Sequence, residues 1–353
     1  MKLLNRIWPF VAILTVEHVP SIASEEIYDG MSPWLMCQVK TAIHDYFDVH
    51  ERRNIQIKPL KGGYSATSLL LDVAGKNYVL RVIKESEPPL RVKTELYPMQ
   101  HAAASGIAPA IYWIGADGHA ILMDYIAGGT LNIETSKKHD VIVRVAEAMR
   151  KVHTLPKNPF MALSFEERME KFYQEHLQES NNRNIFESAM TIIREGSTKL
   201  QSLGSCLTNT HGDLSPRNIL ASDQRVYFID WSEGMYTDPF QDLAYYSILM
   251  DYNSNENALL LQSYLQKDPT AEEMTRFLIA KKMNFARLAL GTQNIGNMLS
   301  SEKENKILPP LPLKEWSYYI SAFANNDSVL PAEFFWEFAQ VALKLADSIE
   351  ICH

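Results

Sequence analysis

Cysteine is scarce in this 353-residue chain: Cys37, Cys206 and Cys352 stand far apart with no C-x-x-C pair. A disulfide framework and a cysteine-held zinc site are therefore both excluded as organising principles, and each thiol reads as a small apolar filler. No apolar run reaches the ~20 residues that a spanning helix needs, so no membrane span is expected. There is no long Lys/Arg run either, and 34 basic against 42 acidic residues leave a net charge of -8. That balance provides no stripe to follow a phosphate backbone, so nucleic acid is not an expected partner, and it tilts slightly toward cationic small molecules. Internal repeats and low-complexity tracts are missing as well, so a solenoid is not expected.

What remains is ordinary globular composition, 46% hydrophobic, 22% charged and 10% aromatic. The length exceeds one compact core, so two or three packed subdomains with a cleft between them are expected. The first residues have the outline of a secretory signal: Lys2 and Arg6, the short apolar stretch from Trp8 to Val16 carrying Pro9, then Ser21 and Ala23. The other readings are an arm packed on the domain and translation that starts at Met31.

Further along, hydrophobic periodicity divides the chain. A turn at Lys61–Ser65 precedes the apolar run Ser68–Val73, a turn at Gly75–Asn77 and the apolar run Tyr78–Ile83, which reads as a hairpin. Arg91–Ser105 reads as a helix interrupted at Pro98 and ended by Gly106. The runs Ala110–Ile114 and His119–Tyr125, separated by two glycines, read as a second hairpin. After Gly128–Gly129 the windows His139–His153, Ser164–Glu179 and Asn184–Leu203 are amphipathic with helical period, and the stretch from Leu243 onward reads as helical again. Between them lies a compact strand-and-loop region, Thr210–Asp242, with a strand at Arg225–Ile229. The expected architecture is α+β and bilobal: residues 1–30 signal-like or an N-terminal arm, 31–127 a strand-rich nucleotide-binding lobe, 128–353 a larger, mainly helical catalytic and substrate-binding lobe.

The chemistry concentrates in that central region. Asp213 and Asn218, in His211-Gly-Asp-Leu-Ser-Pro-Arg-Asn218, have the D-x-x-x-x-N spacing of a protein-kinase catalytic loop. Phosphoryl transfer is mostly positioning and charge stabilisation, so it needs a group to orient a hydroxyl and hard oxygen donors to hold Mg²⁺ against phosphates. Asp213 suits the first task and Asn218 the second. The apolar run Val226–Ile229 ends on Asp230, which puts a second carboxylate at a strand end beside the loop.

Three ordered motifs, Thr210–Leu220, Phe228-Ile-Asp-Trp231 and Asp238-Pro-Phe-Gln-Asp-Leu-Ala244, together resemble the aminoglycoside phosphotransferase and choline kinase family, whose fold is protein-kinase-like. The resemblance implies ATP as co-substrate and Mg²⁺ as cofactor, Asp213 as catalytic carboxylate, and Asn218 and Asp230 as metal ligands. It implies a phosphate-covering turn at Gly62, Gly63 and Ser65, where absent side chains let backbone N–H groups approach phosphate. Arg81 stands where protein kinases place a lysine, with Glu95 as its ionic partner and Lys84 as the fallback cation. Met123, Asp124, Tyr125 and Ile126 would form the interlobe hinge that reads adenine. His211 and Asp242 read as braces of the loop. Ser215, where protein kinases carry lysine, points to a small-molecule acceptor.

Trp231, Glu233, Tyr236 and Asp238 follow the metal aspartate; aromatic faces with a carboxylate are what an ammonium group requires, so these four are the candidate substrate contacts. The aromatics Trp316, Tyr318, Tyr319 and Phe334-Phe-Trp336 have the spacing of a helix core face. The expected reaction is transfer of the γ-phosphate to a small, cationic amino alcohol of choline or ethanolamine type, with an antibiotic phosphotransferase and an inactive nucleotide-binding regulatory module as alternatives. ATP chemistry favours a cytoplasmic location; export is the alternative if residues 1–23 act as a signal.

Overall fold

The structure is a computed structural model and describes residues 30–60, 66–161, 163–176, 183–300, 313–325 and 330–351. The signal-like segment up to residue 29 and the glycine turn with Gly62, Gly63 and Ser65 lie outside the described residues.

The first lobe is one antiparallel sheet. Its strands are β1 (Ile55–Pro59), β2 (Ala66–Val73), β3 (Lys76–Ile83), β4 (Ile111–Ile114) and β5 (Ala120–Asp124), in the order β1-β2-β3-β5-β4. The β2–β3 hairpin closes on two residues, Ala74 and Gly75, both with positive φ, and Val73 faces Lys76 across the turn. This is the primed turn geometry that matches strand twist. It starts β3 at Lys76, two residues before the Tyr78 start expected from sequence.

Alternation along β3 decides the lobe's two faces. Tyr78, Leu80 and Val82 pack with Val39 and Ala42 of α1 (Pro33–Tyr46), while Ile83 joins Val92 and Met99 of α2 (Pro89–Ala104) on the opposite face. Arg81 therefore falls on the α2 side. Neither α1 nor β1 has a counterpart in the sequence expectations, although Ser32 caps Leu35 N–H and Pro33 occupies the first turn, a readable start signal. Helix α2 continues through Pro98 and ends at Gly106, which takes φ +71.

The chain leaves the sheet through Tyr125–Gly129 and lies against the catalytic region. Leu131 N–H donates to Ile219 O at 2.7 Å and Ala221 N–H to Gly129 O at 3.0 Å, so the crossing segment pairs with β7 (Ile219–Ala221). A Cβ on Gly128 would overlap the Ala221 carbonyl. That close approach explains Gly128, and a φ of +74 explains Gly129.

The remainder is mainly helical: α3 (Ile133–Ser136), α4 (His139–Val152), α5 (Phe165–His176), α6 (Arg183–Ser202), α7 (Phe240–Leu249), α8 (Ser254–Leu265), α9 (Ala271–Leu299), α10 (Trp316–Asn325) and α11 (Ala332–Ser348). Helix α9 opens with a capping box at Thr270 and Glu273 and runs through the core, packed by α6, α7 and α11. Two short ribbons, β6 (Thr208–Thr210) with β9 (Met235–Thr237) and β7 with β8 (Val226–Phe228), carry the loops of interest. Trp316, Tyr319 and Phe334–Trp336 belong to the helical core, whereas Tyr318 is exposed. No helix of the described residues is long and apolar enough to cross a membrane.

Candidate active site

The loop leaving β6 is held by one carboxylate. Asp242, in the first turn of α7, accepts from the backbone N–H of His211 at 2.7 Å and of Gly212 at 2.9 Å, and contacts His153 Nε2 at 3.2 Å. Burial works against its charge, but the His153 hydrogen bond and the nearby imidazoles outweigh it and keep the carboxyl below the usual range. His153 Nδ1 meets the Tyr264 hydroxyl at 2.8 Å. Gly212 takes φ +79, and a Cβ there would overlap the Glu233 carbonyl oxygen, so only glycine fits.

His211 is fully buried, and burial lowers its pKa, leaving the neutral imidazole. Its Nε2 lies 3.1 Å from Ile229 O, and Asp213 N–H points at its Nδ1 at 3.4 Å. The pattern assigns the Nε2–H tautomer, with the ring joining the loop to the strand end that carries Asp230.

Beyond Asp213 the chain curls through a short 3₁₀ turn, Pro216–Asn218, so that Asn218 Nδ2 donates to Asp213 Oδ2 at 2.8 Å and to Asp213 O at 3.0 Å. The five-residue spacing leaves room for that three-residue turn to bring Asn218 back to Asp213. Burial pushes the Asp213 carboxyl up to about 7, opposed by the Arg287 charge and reinforced by Asp230 and Glu233. Asp230 sits in the left-handed region at φ 61. Burial opposes its ionisation too, yet the Arg81 charge overrides this and holds it below the ordinary carboxylate value.

Arg81 joins the two lobes. Its guanidinium contacts Glu95 Oε1 at 2.6 Å and 3.1 Å and reaches Asp230 Oδ1 at 3.4 Å. Burial disfavours the charge, but Glu95 and Asp230 raise its pKa above the usual value. The hinge candidates Met123 and Asp124 close β5, where Asp124 N–H donates to Ala110 O at 2.8 Å; Tyr125 and Ile126 follow, half-buried, at the start of the crossing segment.

Asn218 and Asp230 suit a hard divalent cation, since both offer oxygen. Among the described residues no group of three His, Cys, Asp or Glu side chains forms a metal site. A cation shared between two protein oxygens and phosphate, as Mg²⁺ prefers, fits that sparse donor set.

The family model for the phosphotransferase enzyme family (APH) matches residues 56–277, well over half of the chain. The chain belongs to this family. No curated protein matches it in sequence. Solved structures share the fold: an ethanolamine kinase of Plasmodium vivax is 14% identical, covering 89% of this chain and 87% of its own, at a TM-score of 0.62. The choline kinase of Streptococcus pneumoniae is 18% identical, with 88% and 99% covered and a TM-score of 0.62. A spectinomycin phosphotransferase bound to ADP and spectinomycin is 11% identical, with 90% and 98% covered and a TM-score of 0.60.

In this phosphotransferase the segment after Asp230 turns inward, and three of the four expected substrate contacts, Trp231, Glu233 and Asp238, are buried. Trp231 is 1% exposed, its Nε1–H donates to Phe228 O at 3.2 Å, and its ring packs 4.6 Å from that of His211. Asp238 is paired with Arg276 at 2.8 Å and accepts from Phe240 N–H at 3.0 Å. Glu233, 1% exposed, is taken by Arg91 at 2.9 Å and Arg168 at 2.8 Å. Tyr236 keeps some open surface, but the Lys157 ammonium lies 4.2 Å from its ring centre. A 3₁₀ turn at Trp231–Glu233 carries Trp231 and Glu233 inward.

Residues that sequence reasoning missed lie against the loop instead. Arg287 of α9 donates to Gly212 O at 2.8 Å and lies 4.6 Å over the Tyr245 ring. Tyr245, whose phenol burial and Asp213 keep protonated, hydrogen-bonds Asp213. Arg287 had a sequence signal: it is the only charged residue between Lys282 and Glu302.

Proposed function

We propose that the chain transfers the γ-phosphoryl group of Mg-ATP to a hydroxyl of a small amino alcohol of choline or ethanolamine type, in the cytoplasm. The observation that carries the phosphoryl-transfer reading is the Asn218 amide clasping Asp213 while Asp230 lies within reach of the Arg81–Glu95 pair. Asp213 orients the acceptor hydroxyl and takes its proton as the acceptor oxygen bonds to the γ-phosphorus and the bond to the β-phosphate oxygen breaks, releasing ADP. Tyr245 holds the Asp213 carboxylate by a hydrogen bond, and Arg287, bonded to the neighbouring Gly212 O, sets a positive charge beside it. Arg81, fixed by Glu95, directs positive charge at the phosphates. Asn218 and Asp230 would hold Mg²⁺, which supplies charge neutralisation on the transferring group when bound. By family resemblance Gly62, Gly63 and Ser65 cover the phosphates, and the backbone from Met123 to Ile126 reads adenine.

The acceptor class rests on the likeness to an ethanolamine kinase and a choline kinase and on the net charge of -8. It does not rest on Trp231, Glu233 or Asp238, whose polar atoms are already engaged. Likeness to the spectinomycin phosphotransferase supports an antibiotic acceptor nearly as well. ADP release by the purified protein with Mg-ATP across amino alcohols, aminoglycosides, thiamine and sugars separates these readings, with Asp213→Asn as control. Turnover with an amino alcohol that this substitution abolishes is the expected result. Turnover that survives it refutes the role of Asp213, and nucleotide binding without turnover on any acceptor favours a regulatory module.

A further inference from the structure

A proline inside a helix removes the N–H that would bond the carbonyl four residues earlier. In α2 that proline is Pro98 and the carbonyl is that of Thr94, on the turn carrying Glu95. Asn158, 1% exposed and part of the helical lobe, donates its Nδ2–H to Thr94 O at 2.8 Å. Asn158 is itself fixed, its backbone N–H bonded to Asn209 Oδ1 at 3.0 Å, and Asn209 Nδ2 donates to Pro156 O at 3.0 Å.

One turn earlier, Arg91 forks across the segment that follows Asp230: Nη1 donates to Ser232 O and Nη2 pairs with Glu233 Oε1 at 2.9 Å. Glu233 cannot follow α2 if the helix moves, because Arg168 holds its other oxygen at 2.8 Å and also donates to Gly234 O at 3.0 Å. Arg91 and Thr94 thus dock α2 on two fixed points outside the small lobe, both within the turn that leads up to Glu95, which reaches Arg81.

We propose that Arg91, Glu233 and Asn158 are positioning residues that lock α2 in its Arg81-engaging placement, so that the phosphate-handling ion pair is built in rather than assembled on activation. The link to phosphate rests on the phosphotransferase reading above; the locking of α2 does not.

The test compares wild type with Arg91→Met, which keeps the apolar stem, Arg91→Lys, which makes one bond instead of two, and Asn158→Ala. Amide hydrogen exchange of residues 90–104 is measured without nucleotide, the dissociation constant of Mg-AMPPNP by calorimetry, and Tm by a thermal melt. For Arg91→Met and Asn158→Ala the expected result is exchange in α2 accelerated about tenfold, Mg-AMPPNP bound about tenfold more weakly, equivalent to ~1.4 kcal/mol, and exchange in α9 unchanged; Arg91→Lys falls between. Exchange in α2 equal to wild type in folded variants overturns the proposal. So does Arg91→Lys behaving as Arg91→Met, because an unspecific packing role would make the two alike. Wild type that fails to bind Mg-AMPPNP, with variants that still loosen α2, sinks the phosphotransferase reading and upholds the anchors.

Discussion

Asp242 receives three donors in a buried setting, so its replacement has a computable cost. In Asp242→Ala the N–H groups of His211 and Gly212 lose their acceptor with no solvent to replace it. At about 1–3 kcal/mol per stranded buried donor the two backbone groups together cost about 2–6 kcal/mol, a large share of a typical stability of about 5–15 kcal/mol. Asp242→Asn keeps one oxygen: placed where Oδ2 was, it still serves His211 N–H and His153, but its NH₂ then confronts Gly212 N–H, a loss of about 1–3 kcal/mol. The charge adds a pH signature. The folded carboxyl titrates below the unfolded one, so its contribution is complete above the unfolded value of about 3.9 and disappears as pH falls through the lower folded value. Urea unfolding at neutral pH and in steps below pH 4 measures both. The wild-type advantage over Asp242→Asn should shrink as the pH falls through that window. A stability of Asp242→Ala within 0.5 kcal/mol of wild type, where ordinary surface substitutions lie (about ±0.5 kcal/mol), would refute the bracing argument, as would an Asn variant that costs as much as Ala.

Gly128→Ala forces a Cβ into the Ala221 carbonyl and should cost about 1–3 kcal/mol by overpacking, whereas Gly129→Ala meets open space and pays only for φ +74, about 1–2 kcal/mol; thermal melts should rank them in that order. Arg276→Ala strands the buried Asp238 carboxylate and should cost about 3–5 kcal/mol in a urea titration. Asp238→Asn should alter stability without changing KM for the acceptor, and a selective KM change would restore Asp238 to the substrate face. Chelation with EDTA should abolish ADP release and Mg²⁺ restore it. Asp230→Asn should raise the Mg²⁺ needed for half-maximal rate by more than the roughly 10–100-fold typical of losing a partner of a metal ligand; an unchanged Mg²⁺ dependence would count against Asp230 as a ligand.

The parts legible in the sequence were those where chemistry or turn geometry ties residues together over a short stretch of chain. The Asp213–Asn218 spacing spans one short turn, Asp230 closes a three-residue strand, and Gly106 and the Gly115–Gly118 turn end elements locally. The bilobal α+β architecture and the phosphotransferase family followed from that order of motifs. Helix α1 escaped because its first turn, Trp34-Leu-Met-Cys37, is apolar all round rather than on one face, and its buried residues are only Gln38, Val39 and Ala42, although its cap was in view. The pairing of Arg81 with Glu95 was readable from motif order, but the reach to Asp230 spans 149 residues of sequence and has no local signature.

The inward turn of the segment after Asp230 has a physical cause. Trp231, Glu233 and Asp238 are of the right chemical type to hold an ammonium group, and they lie next to a cleft residue in sequence. Type and proximity do not fix direction, however: each finds a buried partner, in Phe228 O, in Arg91 and Arg168, and in Arg276. A carboxylate both of whose oxygens are engaged inside the protein, as at Glu233 and Asp238, is removed from ligand recognition, because freeing it would strand the partner charge. Catalytic-loop Arg217 meanwhile donates to Phe323 O at 2.9 Å, with its guanidinium 5.7 Å over the Phe323 ring, which brings α10 against the loop. The loop thus meets α9 and α10, helices whose sequence pattern mainly records the demands of the core.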